Sequence, residues 1–119
     1  MSNQRLIEKI RKAREQVVKA GDWEFTIRRP TDLDYIGLRS EQGITQGEVM
    51  RRFVVGWNLL ESDVVPGGNA DTISFDQELF IEWVADHPEC WGALTDAIIG
   101  AYNQHLEQIG EKLGEQKSG

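Results

Sequence analysis

The sequence contains one cysteine, Cys90, and no long run of apolar residues. A single cysteine excludes an intramolecular disulfide and fits a reducing compartment. No segment approaches the roughly 18 uninterrupted apolar residues of a membrane-spanning helix, and the N-terminus lacks the apolar stretch of a secretory signal. At 119 residues the chain has about the length of one domain, and these absences predict a cytoplasmic protein.

Motifs for catalysis and for metal binding are also missing. The sequence has no phosphate-binding glycine loop with its lysine, no dinucleotide fingerprint and no nucleophile elbow. His87 and Cys90 are close in sequence, but a zinc site needs about three or four ligands, and Asp86 and Glu89 are the only nearby candidates. The favoured interpretation is a core cysteine beside a histidine at a helix boundary. We therefore expect no enzyme activity, no metal and no cofactor.

Positive charge is almost absent from the second half of the chain. Residues 53–119 contain 2 basic and 12 acidic residues, a net charge of −10, whereas residues 1–52 contain 11 and 8, a net charge of +3. An acidic half repels phosphate backbones, which argues against general nucleic-acid binding. It is either a solubilising surface or a face that meets a basic partner, including the basic residues 1–20 of another copy.

The first segment, residues 1–21, is predicted to be an amphipathic basic helix or arm. Apolar side chains recur at helical spacing over residues 5–20, and Gly21 is a helix stop. Such an apolar stripe packs either on its own domain or, as a mobile arm, on another subunit.

A strand is predicted next, because Trp23, Phe25 and Ile27 alternate with polar residues before Pro30. Its partner is either the segment at residues 52–55 or the same strand of another subunit. The candidate self-association residues combine the arm with this strand: Leu6, Ile10, Val17, Trp23 and Phe25.

Capping signals predict several further helices. A break is expected at residues 40–43, a loop at residues 61–74, and a helix boundary at Pro88. The expected fold is a mainly α, single small domain of about five helices with one or two short strands. That domain spans residues 22–113 and is followed by a polar tail at 114–119. Three capping boxes support these helices: Thr31 with Asp34, Thr45 with Glu48, and Ser74 with Gln77.

A helix over about residues 46–58 would present a broad apolar face to a partner. Gly56 and the β-branched pair Val54-Val55 disfavour it, so residues 53–57 are alternatively extended. The four tryptophans are expected in the core, with one or two at an interface, Trp57 first. The candidate partner-binding residues come from this segment: Val49, Met50, Phe53, Trp57 and Leu60.

Several short motifs follow one another over about residues 23–106. In order they are Arg29-Pro30-Thr31, a Gly56-Trp57 turn after an apolar segment, a Pro66-Gly67-Gly68 loop, a Ser74-Phe75-Asp76 helix start and a His87-Pro88 break. This order resembles the small tail assembly chaperones of tailed bacteriophages. The basic segment at residues 1–20 lies outside the resemblance.

The resemblance implies a non-enzymatic protein of the host bacterial cytoplasm that is absent from the mature virion. Chaperones of this family coat the apolar helices of the tape measure protein and bring tail tube subunits to it, so these two proteins are the implied partners. Many copies along one client imply a homo-oligomer. We expect no nucleic-acid or membrane partner. The alternative function is a small acidic regulatory or DNA-mimic protein that binds a nucleic-acid-binding partner.

Overall fold

A computed structural model of the chain describes residues 3–41 and 44–118. The helices within these ranges are α1 (Gln4–Ala13), α2 (Asp32–Ser40), α3 (Gln46–Phe53), α4 (Glu61–Val64), α5 (Gln77–Val84) and α6 (Trp91–Ser118), with a 3-10 turn at Pro88–Cys90 before α6. The strands are β1 (Glu15–Ala20), β2 (Trp23–Arg28) and β3 (Val54–Trp57). The mainly helical class is confirmed, but three strands are present where one or two were predicted.

Three sequence predictions extend beyond these ranges. Residues 1–2 of the predicted arm, 42–43 of the predicted break and Gly119 of the predicted tail lie outside the described residues. The rest of the predicted polar tail belongs to α6, which continues to Ser118. Within the described chain, no helix combines the length and the apolarity needed to cross a membrane.

The sheet is antiparallel, in the order β1-β2-β3. The predicted helix over residues 5–20 is wrong beyond Ala13, because β1 pairs with β2, placing Val18 opposite Phe25 and Ala20 opposite Trp23. Strand pairing satisfies the backbone hydrogen-bonding groups of β1 and β2, and the packing of alternate side chains outweighs the helical spacing of the apolar residues. The missed signal is the Gly21-Asp22 pair, a two-residue hairpin loop between alternating segments.

The third strand resolves the two alternatives for residues 53–57. Val54 pairs with Ile27 and Trp57 pairs with Phe25, with a bulge between Thr26 and Ile27. The extended alternative is therefore confirmed for residues 54–57 but not for Phe53, and the predicted helix over residues 46–58 is wrong beyond Phe53. The expectation that residues 52–55 supply the partner of β2 is right only for its second half, since the first half ends α3.

The core lies between the inner face of the sheet and the helices α3, α5 and α6, and α3 contacts both other helices there. Aromatic rings from β2, β3, α5 and the segment before α5 meet in its centre. The Trp83 ring lies 4.9 Å from Trp23 and 5.8 Å from Phe25, and Trp57 lies 5.3 Å from Phe75. The largest fully buried side chains surround this cluster: Phe25, Ile27, Met50, Phe53, Leu59, Phe80, Leu94 and Ile98.

Hydrogen bonds from the indoles attach the connecting segment between β3 and α5 to this core. Trp57 Nε1 donates to the Ile73 carbonyl oxygen at 2.8 Å, and Trp83 Nε1 donates to the Asp63 carbonyl oxygen at 2.9 Å. The predicted loop at residues 61–74 is wrong for its first residues, because they form α4.

The helix starts follow the predicted capping chemistry in two of three cases. Thr31 and Asp34 form the full capping box, and Thr45 accepts from the Glu48 amide at 3.2 Å. The third prediction is wrong, because Asp76 rather than Ser74 caps α5 and accepts from the Leu79 amide at 3.0 Å. The ring contact between Phe75 and Trp57 lies just before this cap, outside the helix.

The hairpin turn generates the first prediction. Gly21 has φ of +60°, and a Cβ at this position would lie 3.2 Å from Cys90 Sγ. We expect Gly21→Ala to lower the free energy of unfolding by about 1–2 kcal/mol, because the left-handed backbone disfavours any side chain. Chemical denaturation measures this change.

The matched control is Gly100→Ala, on α6, where a Cβ meets nothing within 4 Å. This variant should instead raise the free energy of unfolding by about 0.5–1 kcal/mol, since glycine weakens a helix interior. Equal effects of the two substitutions would contradict the turn assignment.

Candidate protein-binding grooves

Cys90 and His87, two of the residues considered for metal binding, are used in packing, whereas Asp86 and Glu89 are exposed. Cys90 is fully buried, and burial raises the pKa of its thiol, which disfavours the reactive thiolate. The imidazole of His87 stacks on Trp83 with 3.9 Å between ring centroids. Among the described residues, no three His, Cys, Asp or Glu side chains form a group that could hold a metal ion.

Two apolar grooves are the more informative surfaces. The first, which we call the α2–α6 groove, lies between α2, α3 and α6 and has a volume of about 340 Å³. Arg39 is the one charged residue among the described residues that line it. The apolar part of its lining includes Leu38, Ile44, Val49, Ile98, Ile99 and Tyr102.

Apolar side chains remain exposed on the two helices that form this groove. Ile99 on α6 is 53% exposed, and Leu106 lies on the same helix face about two turns later. On α2, Tyr35 lines the groove and is 40% exposed, whereas the more exposed Leu33 and Ile36 lie outside its lining. Exposed apolar side chains on an apolar groove, here Ile99 and Tyr35, are typical of a protein-interaction site.

A polar cluster at one end of the α2–α6 groove joins its two outer helices. Tyr102 Oη donates to Asp32 Oδ1 at 3.0 Å, and His105 Nε2 lies 3.5 Å from Asp32 Oδ2. The rings of Tyr35 and Tyr102 stack with 4.7 Å between their centroids. The hydrogen bond from Tyr102 is the main cause that lowers the pKa of Asp32, and burial raises the pKa of Tyr102.

The second groove, which we call the α3–α5 groove, has a volume of about 530 Å³. Its apolar surface consists of Met50, Ile81, Val84, Ala85 and Trp91. Side-chain hydrogen bonds brace α3 on both sides of it. The Gln77 amide donates to the Arg51 carbonyl oxygen, and Gln46 Nε2 donates to Thr95 Oγ1 at 3.2 Å.

The outer edge of the α3–α5 groove is acidic. An adjoining depression shares Arg51 and Ile81 with it and is also lined by Asp76, Glu78 and Glu82. Among the described residues, no ion pair includes Glu78 or Glu82. Arg51, by contrast, has its Nε 3.5 Å from Glu48 Oε1.

The predicted partner-binding residues do not form one face. Helix α3 directs Val49 and Phe53 to the α2–α6 groove and Met50 to the α3–α5 groove, and both Met50 and Phe53 are only 2% exposed. Trp57 belongs to the aromatic cluster, and Leu60 forms a bridge with Thr72. The prediction that these residues form a single face was wrong because it assumed one helix through residue 58. The role of these residues in partner binding stays a prediction.

The predicted self-association residues are divided in the same way. Leu6, Ile10 and Val17 are exposed, whereas Trp23 is partly buried and Phe25 is fully buried. In this conformation Phe25 cannot contact a second subunit, because its side chain is fully buried, and β2 cannot pair with another strand, because it is the central strand of the sheet.

The sequence analysis missed the α6 and α2 contributions to the grooves. Two signals were available: the adjacent pair Ile98-Ile99 widens the apolar stripe of α6 beyond one packing face, and Tyr35 and Leu38 share one side of α2. Comparisons with protein families, curated proteins and solved structures give no match for this chain. The resemblance to tail assembly chaperones stays a prediction, based on the order of its short motifs.

The polar cluster generates the second prediction. Because the folded-state pKa of Asp32 is lowered, its hydrogen bonds stabilise the fold above the ordinary pKa of 3.8 and are lost as pH falls through the lowered value. We expect Tyr102→Phe to raise the pKa of Asp32 toward 3.8, measured by NMR titration of its carboxyl carbon.

The control is Tyr35→Phe, which keeps the stacked ring and removes a hydroxyl that does not contact Asp32. This variant should leave the titration of Asp32 unchanged. A pKa of Asp32 that stays low without the Tyr102 hydroxyl would show that another group causes the shift.

Proposed function

We propose that the protein is a non-enzymatic tail assembly chaperone of the host bacterial cytoplasm. It binds apolar helices of the tape measure protein and helps to recruit tail tube subunits. The observation that supports helix binding is the α2–α6 groove, which is apolar and bordered by exposed apolar side chains. The identity of the client comes from the family resemblance.

The α2–α6 groove has the character of a site for an amphipathic or fully apolar helix. In this mode of recognition a helix places side chains at positions i, i+3 or i+4 and i+7 into an apolar groove. Each large apolar client side chain that is fully buried contributes about 1.5–3 kcal/mol. Ile99 and Tyr102 supply contacts along α6, and Leu38 supplies them from α2.

The charge of the protein fits the same task. The groove itself contains little charge, so it does not discriminate against an apolar client, while the whole chain has a net charge of −7. A charged exterior around an apolar contact keeps the complex soluble after the client's apolar face is covered. Weak contacts repeated along a long client would then add up through avidity.

Co-expression tests the client. The gene should lie beside one that encodes a very long α-helical protein, and the chain should increase the soluble fraction of that protein. No rescue of solubility, together with tight binding to a nucleic-acid-binding protein, would instead support the acidic DNA-mimic alternative.

The third prediction concerns the groove itself. We expect Ile99→Asp to weaken binding of an apolar helical segment of that client by about tenfold or more, because it places a charge against the buried client side chains. Isothermal titration calorimetry with the purified full-length chain measures the dissociation constant.

The matched control is Ala93→Asp, which adds the same charge to an exposed position of α6 that lines neither groove. It should bind the client segment as the unmodified chain does. If both variants bind equally well, the client does not occupy the α2–α6 groove.

A further inference from the structure

Helix α1 has a well-defined apolar face that the described residues leave exposed. All of residues 3–13 are exposed, including Leu6 at 58% and Ile10 at 54%. Leu6, Ile7 and Ile10 share one side of the helix, since residues three and four apart are neighbours on its surface. By the same spacing, Arg5, Lys9 and Lys12 form a basic flank beside this apolar stripe.

A helix of this length requires a packing partner. Its 10 residues span about 15 Å, and isolated helices shorter than about 12–15 residues are marginal in water even for alanine-rich sequences. Most helical stability in proteins comes from packing of an amphipathic face. The apolar stripe of α1 therefore indicates a surface that covers it in the functional state.

The charges of the two grooves favour the α3–α5 groove as the surface that covers α1. The α2–α6 groove contains Arg39, which has the same sign as the flank of α1. The α3–α5 groove adjoins Asp76, Glu78 and Glu82, and its Arg51 is already paired with Glu48. A basic helix is therefore attracted more strongly to the acidic second groove than to the nearly neutral first one.

The balance of charge on the two surfaces is complementary. Helix α1 contains four basic residues and one acidic residue, a net charge of +3. The α3–α5 groove and its adjoining depression contain four carboxylates and one arginine, a net charge of −3. Glu78 and Glu82 lie four residues apart on α5, as do Arg5 and Lys9 on α1, so both rows have one helical turn between charges.

We propose that α1 of one copy binds the α3–α5 groove of a second copy. Leu6, Ile7 and Ile10 pack on the apolar surface of Ile81 and Val84, and the basic flank of α1 lies along Glu78 and Glu82. The contact joins two different surfaces, so copies either exchange arms reciprocally or join head to tail. The proposal does not depend on the proposed function, because it uses the other groove and leaves the α2–α6 groove open.

The first test measures self-association of the full chain by sedimentation velocity over a range of concentrations. The unmodified chain should form species larger than its 13.5 kDa monomer. Ile10→Asp should raise the dissociation constant about 100-fold, because it places a charge in the centre of the apolar contact. The chain being monomeric throughout, or Ile10→Asp associating normally, would overturn the proposal.

The matched control is Val65→Asp, at an exposed apolar residue after α4 that lines neither groove. It should leave self-association unchanged. Val17→Asp, on β1, tests the other predicted contact: if it dissociates the assembly and Ile10→Asp does not, the copies pair through the sheet rather than through α1, and the proposal is wrong.

Charge reversal tests which groove receives the arm. Glu82→Lys and Lys9→Glu should each weaken association about tenfold, and mixing the two variant chains should restore it. The association of the unmodified chain should also weaken with salt, since the screening length falls from about 10 Å at 0.1 M to about 3 Å at 1 M. Suppose that Ile10→Asp dissociates the assembly but that neither Glu82→Lys nor salt weakens it. In that case α1 binds a surface other than the α3–α5 groove.

Crosslinking locates the contact directly. Chains with Ile10→Cys and chains with Ala85→Cys are mixed and treated with a short bismaleimide, while the native Cys90 is buried. The mixture should form a crosslinked pair of the two chains. Replacing the second chain by one with Glu107→Cys, at an exposed position of α6 outside both grooves, should abolish the pair. Equal crosslinking to both positions would overturn the assignment.

Discussion

The contacts of Trp83 hold the rest of the structure together. Its ring meets Trp23 and Phe25 on the sheet, and its indole N–H donates to the Asp63 carbonyl oxygen in the connecting segment. One side chain on α5 thereby joins the sheet, the helices and the longest connection between them. Aromatic pairs of this kind contribute about 0.5–1.5 kcal/mol beyond the area that they bury. The positions of α3, α5 and α6, and with them both grooves, depend on this cluster.

A small chain that concentrates its large side chains in one cluster leaves apolar surface elsewhere. The inner face of the sheet and the facing sides of α3, α5 and α6 fill the core. The outer side of α2, the Ile99 side of α6 and all of α1 are left outside it. The two grooves differ chiefly in charge, since one is nearly neutral and the other has an acidic edge. That difference is the basis on which we propose one surface for an apolar client and the other for a second copy.

The sequence predictions were correct where they depended on residues close together in the sequence, and they were wrong where pairing with a distant segment decides the structure. The Thr31 cap was correct because its hydrogen bonds lie within four residues, and β2 was correct because its alternation is uninterrupted. The helix over residues 5–20 failed because β1 depends on pairing with β2 across the Gly21 turn. The face from Val49 to Leu60 failed similarly, since residues 54–57 are extended only because β2 offers its free edge.

The sequence by itself was enough to predict the mainly helical class, the basic N-terminal segment and the acidic second half, and it contains no recognisable catalytic motif. These features follow from composition and from the spacing of residues close together in the sequence. Only the tertiary structure decided which apolar residues were buried and which were left over. Phe25 and Leu6 look equally suited to an interface in the sequence, yet one lies at the centre of the core and the other in solvent. Burial depends on which distant segments meet, and neither periodicity nor charge specifies that for a single strand or helix.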